Sequence, residues 1–146
     1  MYKLILCILI CVLIGFAGSF FTDTGSWYTS LNKPSFNPPS YVFAPVWTIL
    51  YILMGIAVYM LWQGNAKTAI ILFIIQLVLN LVWTFLFFKM HSPLLALIDI
   101  VLLLSAIAWT MIESYKVSHT AVYLLIPYIL WVSFATMLNL SIYLLN

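Results

Sequence analysis

WYTSLNKPSFNPPSYVFAPVWTILY, running from Trp27 to Tyr51, is the stretch that decides how the rest of the chain is read. It begins as a loop broken by Pro34, Pro38, Pro39 and Pro45, yet Trp27, Tyr28, Phe36, Tyr41, Phe43 and Trp47 are set among those prolines. Flexible linkers are rich in Gly and Ser and poor in aromatics. Proline fixes φ and aromatic rings present large flat faces, so this segment reads as a lid or pocket wall.

Working outward, the loop separates apolar runs of spanning length. There are five, over residues 3–21, 44–62, 68–88, 94–112 and 121–145. The chain is 66% hydrophobic and 5% charged, with a mean hydropathy of +1.21, whereas a soluble domain is ~25% charged. A span needs ~20 apolar residues, and in lipid each backbone polar group must be paired within the protein, so the runs are helices. The expected fold is an all-α membrane protein, a five-transmembrane-helix bundle over residues 1–146, with a Pro- and aromatic-rich loop between the first two spans. Short connections at 63–67, 89–93 and 113–120 make successive spans antiparallel neighbours.

The first run has a second reading. Lys3, an apolar core and Ala17-Gly18-Ser19 resemble a cleavable signal peptide. Against it, Cys7, Cys11, Gly15 and Ser19 form an i,i+4 stripe of small residues, which permits close helix approach, and the run is kept as a span. Cys7 and Cys11 splay too far apart on one helix for a good disulfide and read as packing residues. Lys3, Lys67 and Lys116 outnumber Lys33 and Lys89, which favours a cytoplasmic amino terminus. A net charge of +2 without basic clusters excludes a nucleic-acid surface.

Depth can be counted at 1.5 Å per residue. Asn80, Asp99 and Asn139 fall roughly 9–12 Å below the surface that carries the long loop, and Gln76 lies deeper. The opposite half of the bilayer is expected to hold almost no buried polar side chain. This pattern describes a cavity in one half of the bilayer, roofed by the loop. Gln76, Asn80, Trp83 and Phe87 share one face of the third span; Trp131, Ala135 and Asn139 share one face of the fifth; Trp47, Tyr51 and Gly55 share one face of the second. Small Ala135 and Gly55 beside large aromatics leave room for a flat ligand. Tyr2, Trp62, Trp109, Tyr115 and Tyr123 read as interfacial belt residues, but that explanation fails for mid-membrane Trp131 and weakens for nearby Trp83. Asn80 and Asn139 fit either interhelical hydrogen bonding or ligand contact, and Asp99 either a functional acid or a helix-pairing group.

At this point the motifs become specific. The Trp27–Tyr51 run, Met54-Gly55, Gln76-Leu77, Leu79-Asn80 with Trp83, Pro127-Tyr128, Trp131, Phe134-Ala135-Thr136 and Leu138-Asn139 together resemble the TspO/MBR family. These are the tryptophan-rich sensory proteins, related to the mitochondrial translocator protein or peripheral benzodiazepine receptor. The resemblance implies a bundle in the bacterial cell membrane, usually dimeric, that binds porphyrins such as protoporphyrin IX and hydrophobic benzodiazepine-site drugs. It implies pocket roles for Tyr28, Trp47, Asn80, Trp131 and Ala135, to which the helix stripes add Tyr51, Trp83 and Asn139. Some bacterial members resemble catalysts of light- and oxygen-dependent porphyrin breakdown, in which Trp47 and Trp131 would act. The sterol pattern of animal members ends in a basic residue; here Tyr143 is followed only by Leu144, Leu145 and Asn146.

Residue chemistry fits a free-base tetrapyrrole, with no obligatory cofactor and no metal. His91 and His119 fall on opposite membrane faces, so they cannot jointly supply the axial ligands of a haem. A porphyrin needs flat walls, donors and a cation near its propionates: Trp47, Trp131 and Tyr28 offer the first, Asn80 and the indole N–H groups the second, Lys33 the third. The expected function is binding, sensing or scavenging. The alternatives are photo-oxidative degradation and, more weakly, transport, for which no internal repeat is visible. A homodimer held by small-residue helix faces is expected, with each pocket inside one protomer; the stripe on the first span either packs that helix inside the protomer or meets a second chain.

Overall fold

Serine caps begin the last two long helices. Ser92 Oγ accepts from Leu95 N at 3.2 Å with Pro93 in the first turn, and Ser118 Oγ accepts from Ala121 N at 3.2 Å; each pairs an otherwise orphaned helix donor. In this computed structural model, which describes residues 1–146, the long helices are α1 (Tyr2–Ser19), α3 (Phe43–Gln63), α4 (Lys67–Thr84), α5 (Pro93–Tyr115) and α6 (His119–Leu145). Between α1 and α3 lie a one-turn helix, α2 (Ser26–Ser30), and a 3₁₀ turn, Ser40–Val42. A π-helical turn, Phe85–Lys89, extends α4. Asn65 and His91 adopt left-handed backbone (φ 54° and 55°) in the tight turns on either side of α4. All five long helices have the length and hydropathy to cross a membrane, so the protein is an all-α, five-span membrane bundle.

Packing runs α1 on α3, α3 on α6, α6 on α5 and α5 on α4, with α1 touching α4 only lightly. Met54, Leu61, Phe73, Ile100, Leu125, Tyr128 and Val132 fill the centre. Ile5, Leu9 and Leu13 on α1, Ile71 and Ile74 on α4, and Val101 and Leu102 on α5 point outward. Those outward faces meet lipid, which gives helices no hydrophobic reason to associate; close packing must hold the bundle instead.

The small-residue stripe supplies part of that packing. Cys7 and Cys11 are buried, a Cβ on Gly15 would strike the Tyr51 ring, and a Cβ on Gly55 would strike the backbone of Ile8. The stripe therefore seats α1 on α3 within one protomer. Of the two readings open to the stripe, packing inside the protomer or against a second chain, the Gly15–Tyr51 contact supports the first. Its last member, Ser19, is exposed.

The long loop also departs from expectation, since α2 folds inside it. Gly25 precedes α2 with no side-chain cap, and five residues are too few for a helix to be stable alone. Tertiary contacts hold it: Tyr28 is buried against Phe88 (ring centroids 5.7 Å), and Trp27 packs edge-on to Phe87 at 5.5 Å. The widened π turn, closed by Met90 N donating to Phe85 O at 3.0 Å, buries Phe87 and Phe88 side by side beneath α2.

Candidate ligand cavity beneath the lid

Where α1, α3, α4 and α6 reach the long loop they part around a cavity of about 480 Å³, a size that suits a small organic ligand. Its walls carry a cluster of aromatic side chains. Trp47, Tyr51, Trp83, Phe87, Phe88 and Trp131 line it, with Tyr28 and Asn37 of the lid above and Asn80 below. No charged side chain is among the lining residues.

Each aromatic wall is oriented by its neighbours. Trp47 tilts over Tyr51 (5.7 Å, 32°) and meets the Tyr128 ring edge-on (6.3 Å, 71°). Trp131 lies between Phe43 (6.2 Å, 69°) and Phe134 (5.5 Å, 48°). Trp83 stacks on Phe87 at 5.2 Å, and its indole N–H donates to Asn139 Oδ1 at 2.9 Å. The indole N–H groups of Trp47 and Trp131 make no protein hydrogen bond, which leaves two donors for a ligand.

The floor is a buried polar chain. The Tyr51 hydroxyl donates to Asn80 Oδ1 at 3.3 Å, Asn80 Nδ2 donates to the Tyr128 hydroxyl at 2.9 Å, and that hydroxyl donates to Gln76 Oε1. Gln76 Nε2 in turn reaches the Met54 sulfur at 3.9 Å. These groups come from α3, α4 and α6, so one network ties three helices below the cavity. Buried polar groups in hydrocarbon need partners, and here four side chains satisfy one another.

Of the residues anticipated for the site, Tyr28, Trp47, Tyr51, Asn80, Trp83, Trp131 and Ala135 all line the cavity. Asn139 does not. It stands behind Trp83, where its Nδ2 also donates to Pro93 O at 2.9 Å and so links α4, α5 and α6. Lys33 lies outside as well, its Nζ 4.6 Å above the Tyr28 ring. Asp99 is buried on α5 away from the cavity, and its Oδ2 has no partner. His91 stacks on Trp27 at 4.4 Å and 9°, on the outside of the lid.

Sequence reasoning assigned no role to Tyr128 or Asn37. Tyr128 precedes Trp131 by three residues, so helical spacing put it on the same face of α6 and was the available signal. Asn37, whose Nδ2 reaches the Tyr28 hydroxyl at 3.5 Å and Pro38 O at 3.2 Å, lies in a loop where no periodicity operates. The link between Asn32 and Asn146 is equally non-local: Asn32 N donates to Asn146 Oδ1 at 3.1 Å, and Asn146 Nδ2 donates back to Asn32 O at 2.9 Å.

Comparison with known proteins agrees with this architecture. The TspO/MBR family matches residues 7–145. The chain is 51% identical to the tryptophan-rich protein TspO of Chlorobaculum tepidum over 98% of its own length and 95% of that protein's. It is 44% identical to the protein of the same name from Archaeoglobus fulgidus, over 99% and 97%. The human translocator protein is 39% identical over 80% of this chain and 73% of its own. The bacterial relative supports a place in the cell membrane. With five spans, an aromatic lid and a match over nearly all of its length, the chain belongs to the TspO/MBR family.

Proposed function

We propose that the cavity binds flat, largely apolar ligands by stacking, with a free-base porphyrin such as protoporphyrin IX as the natural fit and benzodiazepine-site drugs as competitors. The observation that carries this reading is an aromatic cavity with two unpaired indole N–H donors on its wall. Trp47 and Trp131 flank the ligand, Tyr28 covers it from the lid, and Asn80 sets the depth at which it stops. The protein then acts in sensing or scavenging tetrapyrroles. On this reading each pocket belongs to one protomer. In a homodimer, two such protomers join through outward helix faces other than the α1 stripe.

A second reading, light- and oxygen-dependent porphyrin breakdown, is favoured by the same two tryptophans, because indoles are easily oxidised and both face the cavity. Titration of the detergent-solubilised protein with protoporphyrin IX in the dark tests binding. A saturable red-shift of the pigment's absorption, reversed by a benzodiazepine-site drug, is the expected result. A linear, non-saturable change identical to that in empty micelles would overturn it. Illumination with and without oxygen then separates the readings: decay no faster than that of free pigment removes the enzymatic one.

A further inference from the structure

The lid has two unequal halves. From Trp27 to Leu31 it is anchored by apolar packing, with Tyr28 buried in one cluster with Phe87, Phe88, Ala96 and Ile142. From Asn32 to Pro45 no residue is buried, although Asn37 and Ser40 of this half line the cavity. Pro34, Pro38 and Pro39 fix backbone φ within it, so residues 32–42 form a stiff flap and not a loose loop. Phe36 is tilted against Phe134 at 6.1 Å, Lys33 lies over the Tyr28 ring, and Asn37 Nδ2 reaches the Tyr28 hydroxyl at 3.5 Å, the weak end of the hydrogen-bond range.

The flap is tied down at its first residue. The Asn146 side-chain amide pairs with both backbone groups of Asn32: its Oδ1 accepts from Asn32 N at 3.1 Å, and its Nδ2 donates to Asn32 O at 2.9 Å. A neighbouring strand's peptide would pair in the same way, but here one side chain supplies it. The same Nδ2 also donates to Ile142 O at 2.8 Å, in the last turn of α6. Both N–H donors and the carbonyl oxygen of the amide are thus engaged, and its own helix orients it. Asn32 Nδ2 adds a further link, to Leu145 O at 3.3 Å. Asn32, Leu145 and Asn146 are all exposed, and where water competes a hydrogen bond contributes only modestly. Such links open and re-form readily, unlike the buried packing of Tyr28.

We infer that Asn146 is the positioning residue of the lid, a clasp whose release lets the 32–42 flap swing off the cavity while α2 stays seated. It lines no part of the cavity. It sets how often the cavity is uncovered, and so governs the rates of ligand entry and exit more than their ratio. The kinetic part rests on the cavity being a porphyrin site, as proposed above; the clasp on the flap does not.

The test uses the whole protein in nanodiscs and two variants. Asn146→Asp keeps the shape of the side chain but loses both donors and sets a carboxylate against the Asn32 and Ile142 carbonyls. Asn32→Ala removes only the link to Leu145 O. Chymotrypsin reads the flap without ligand, at Phe36 and Tyr41, which are exposed by 46% and 78%. Cleavage there should be about fivefold faster or more in Asn146→Asp, as loss of a surface hydrogen bond would give, and should rise less in Asn32→Ala. Cleavage after Tyr115, at the far end of α5, should stay at the wild-type rate. Bound protoporphyrin IX, chased with excess serum albumin, should leave Asn146→Asp about fivefold faster or more, with an equilibrium Kd within about threefold of wild type. Flap cleavage at the wild-type rate in Asn146→Asp overturns the clasp. Faster cleavage with unchanged release of the pigment shows that the flap does not gate the cavity, and also overturns the proposal. If protoporphyrin IX does not bind the wild type, the porphyrin reading falls with the kinetic part, and flap cleavage alone decides the clasp.

Discussion

Asn80 donates its side-chain amide to the Tyr128 hydroxyl at 2.9 Å while its carbonyl oxygen accepts from Tyr51 at 3.3 Å. A residue eligible for ligand contact thus has both polar ends engaged within the bundle, and what it offers the cavity is chiefly a rigid floor. Asn80→Ala leaves two buried hydroxyls short of a partner. The expected cost is about 1–2 kcal/mol of stability, seen as a lower melting temperature in detergent. A melting temperature equal to wild type would mean that the network contributes nothing and that Asn80 is there for the ligand.

Asn139 makes a related case on the other side of Trp83. Because it fixes that indole and the Pro93 carbonyl without lining the cavity, Asn139→Leu should loosen Trp83 before it alters any direct ligand contact. We expect broadened near-ultraviolet circular dichroism and a melting temperature lowered by the loss of two buried hydrogen bonds. Unchanged stability together with abolished porphyrin binding would show direct contact instead.

Gly55 probes the seat of α1. Its would-be Cβ meets the backbone of Ile8, which cannot swing aside as a flexible side chain can. Gly55→Leu should therefore separate α1 from α3 at a cost of about 1–3 kcal/mol or more and yield a poorly folded protein in melting assays. Normal stability would place this face in lipid.

The chemistry of the two cavity tryptophans can be separated from their shape. Trp47→Phe and Trp131→Phe keep flat apolar walls but lack an oxidisable indole. Both single variants should bind protoporphyrin IX, and the double variant should lose light-driven product if the photo-oxidative reading holds. Product yield equal to wild type from the double variant would leave the tryptophans as walls only.

The spans and the cavity residues were legible because both follow from counting. Apolar run length locates helices in lipid, and helical spacing puts Trp131 and Ala135 (i,i+4), or Asn80 and Trp83 (i,i+3), on one face. The observed α3 and α6 run 43–63 and 119–145, against 44–62 and 121–145 expected. What escaped is whatever depends on partners far apart in sequence. The Trp27–His91 stack, the Asn32–Asn146 exchange and the turn of helix at Ser26–Ser30 arise only when the loop lies on α4 and α6. The small-residue stripe was visible, but its partner was not, because Tyr51 meets Gly15 only after α3 folds back.

The central claim is that ligand stacks in the lid-side cavity, and two tryptophans at opposite ends of the bundle test it most directly. Trp131 lines the cavity, whereas Trp62, under the Lys3 ammonium at 4.9 Å, closes the far end of α3. Equilibrium titration with protoporphyrin IX should show Trp131→Ala weakened by about 1–3 kcal/mol, as loss of a buried aromatic contact predicts, and Trp62→Ala within twofold of wild type. Equal losses in the two variants, or none in either, would contradict the account and mean that the pigment only partitions into the surrounding lipid or detergent.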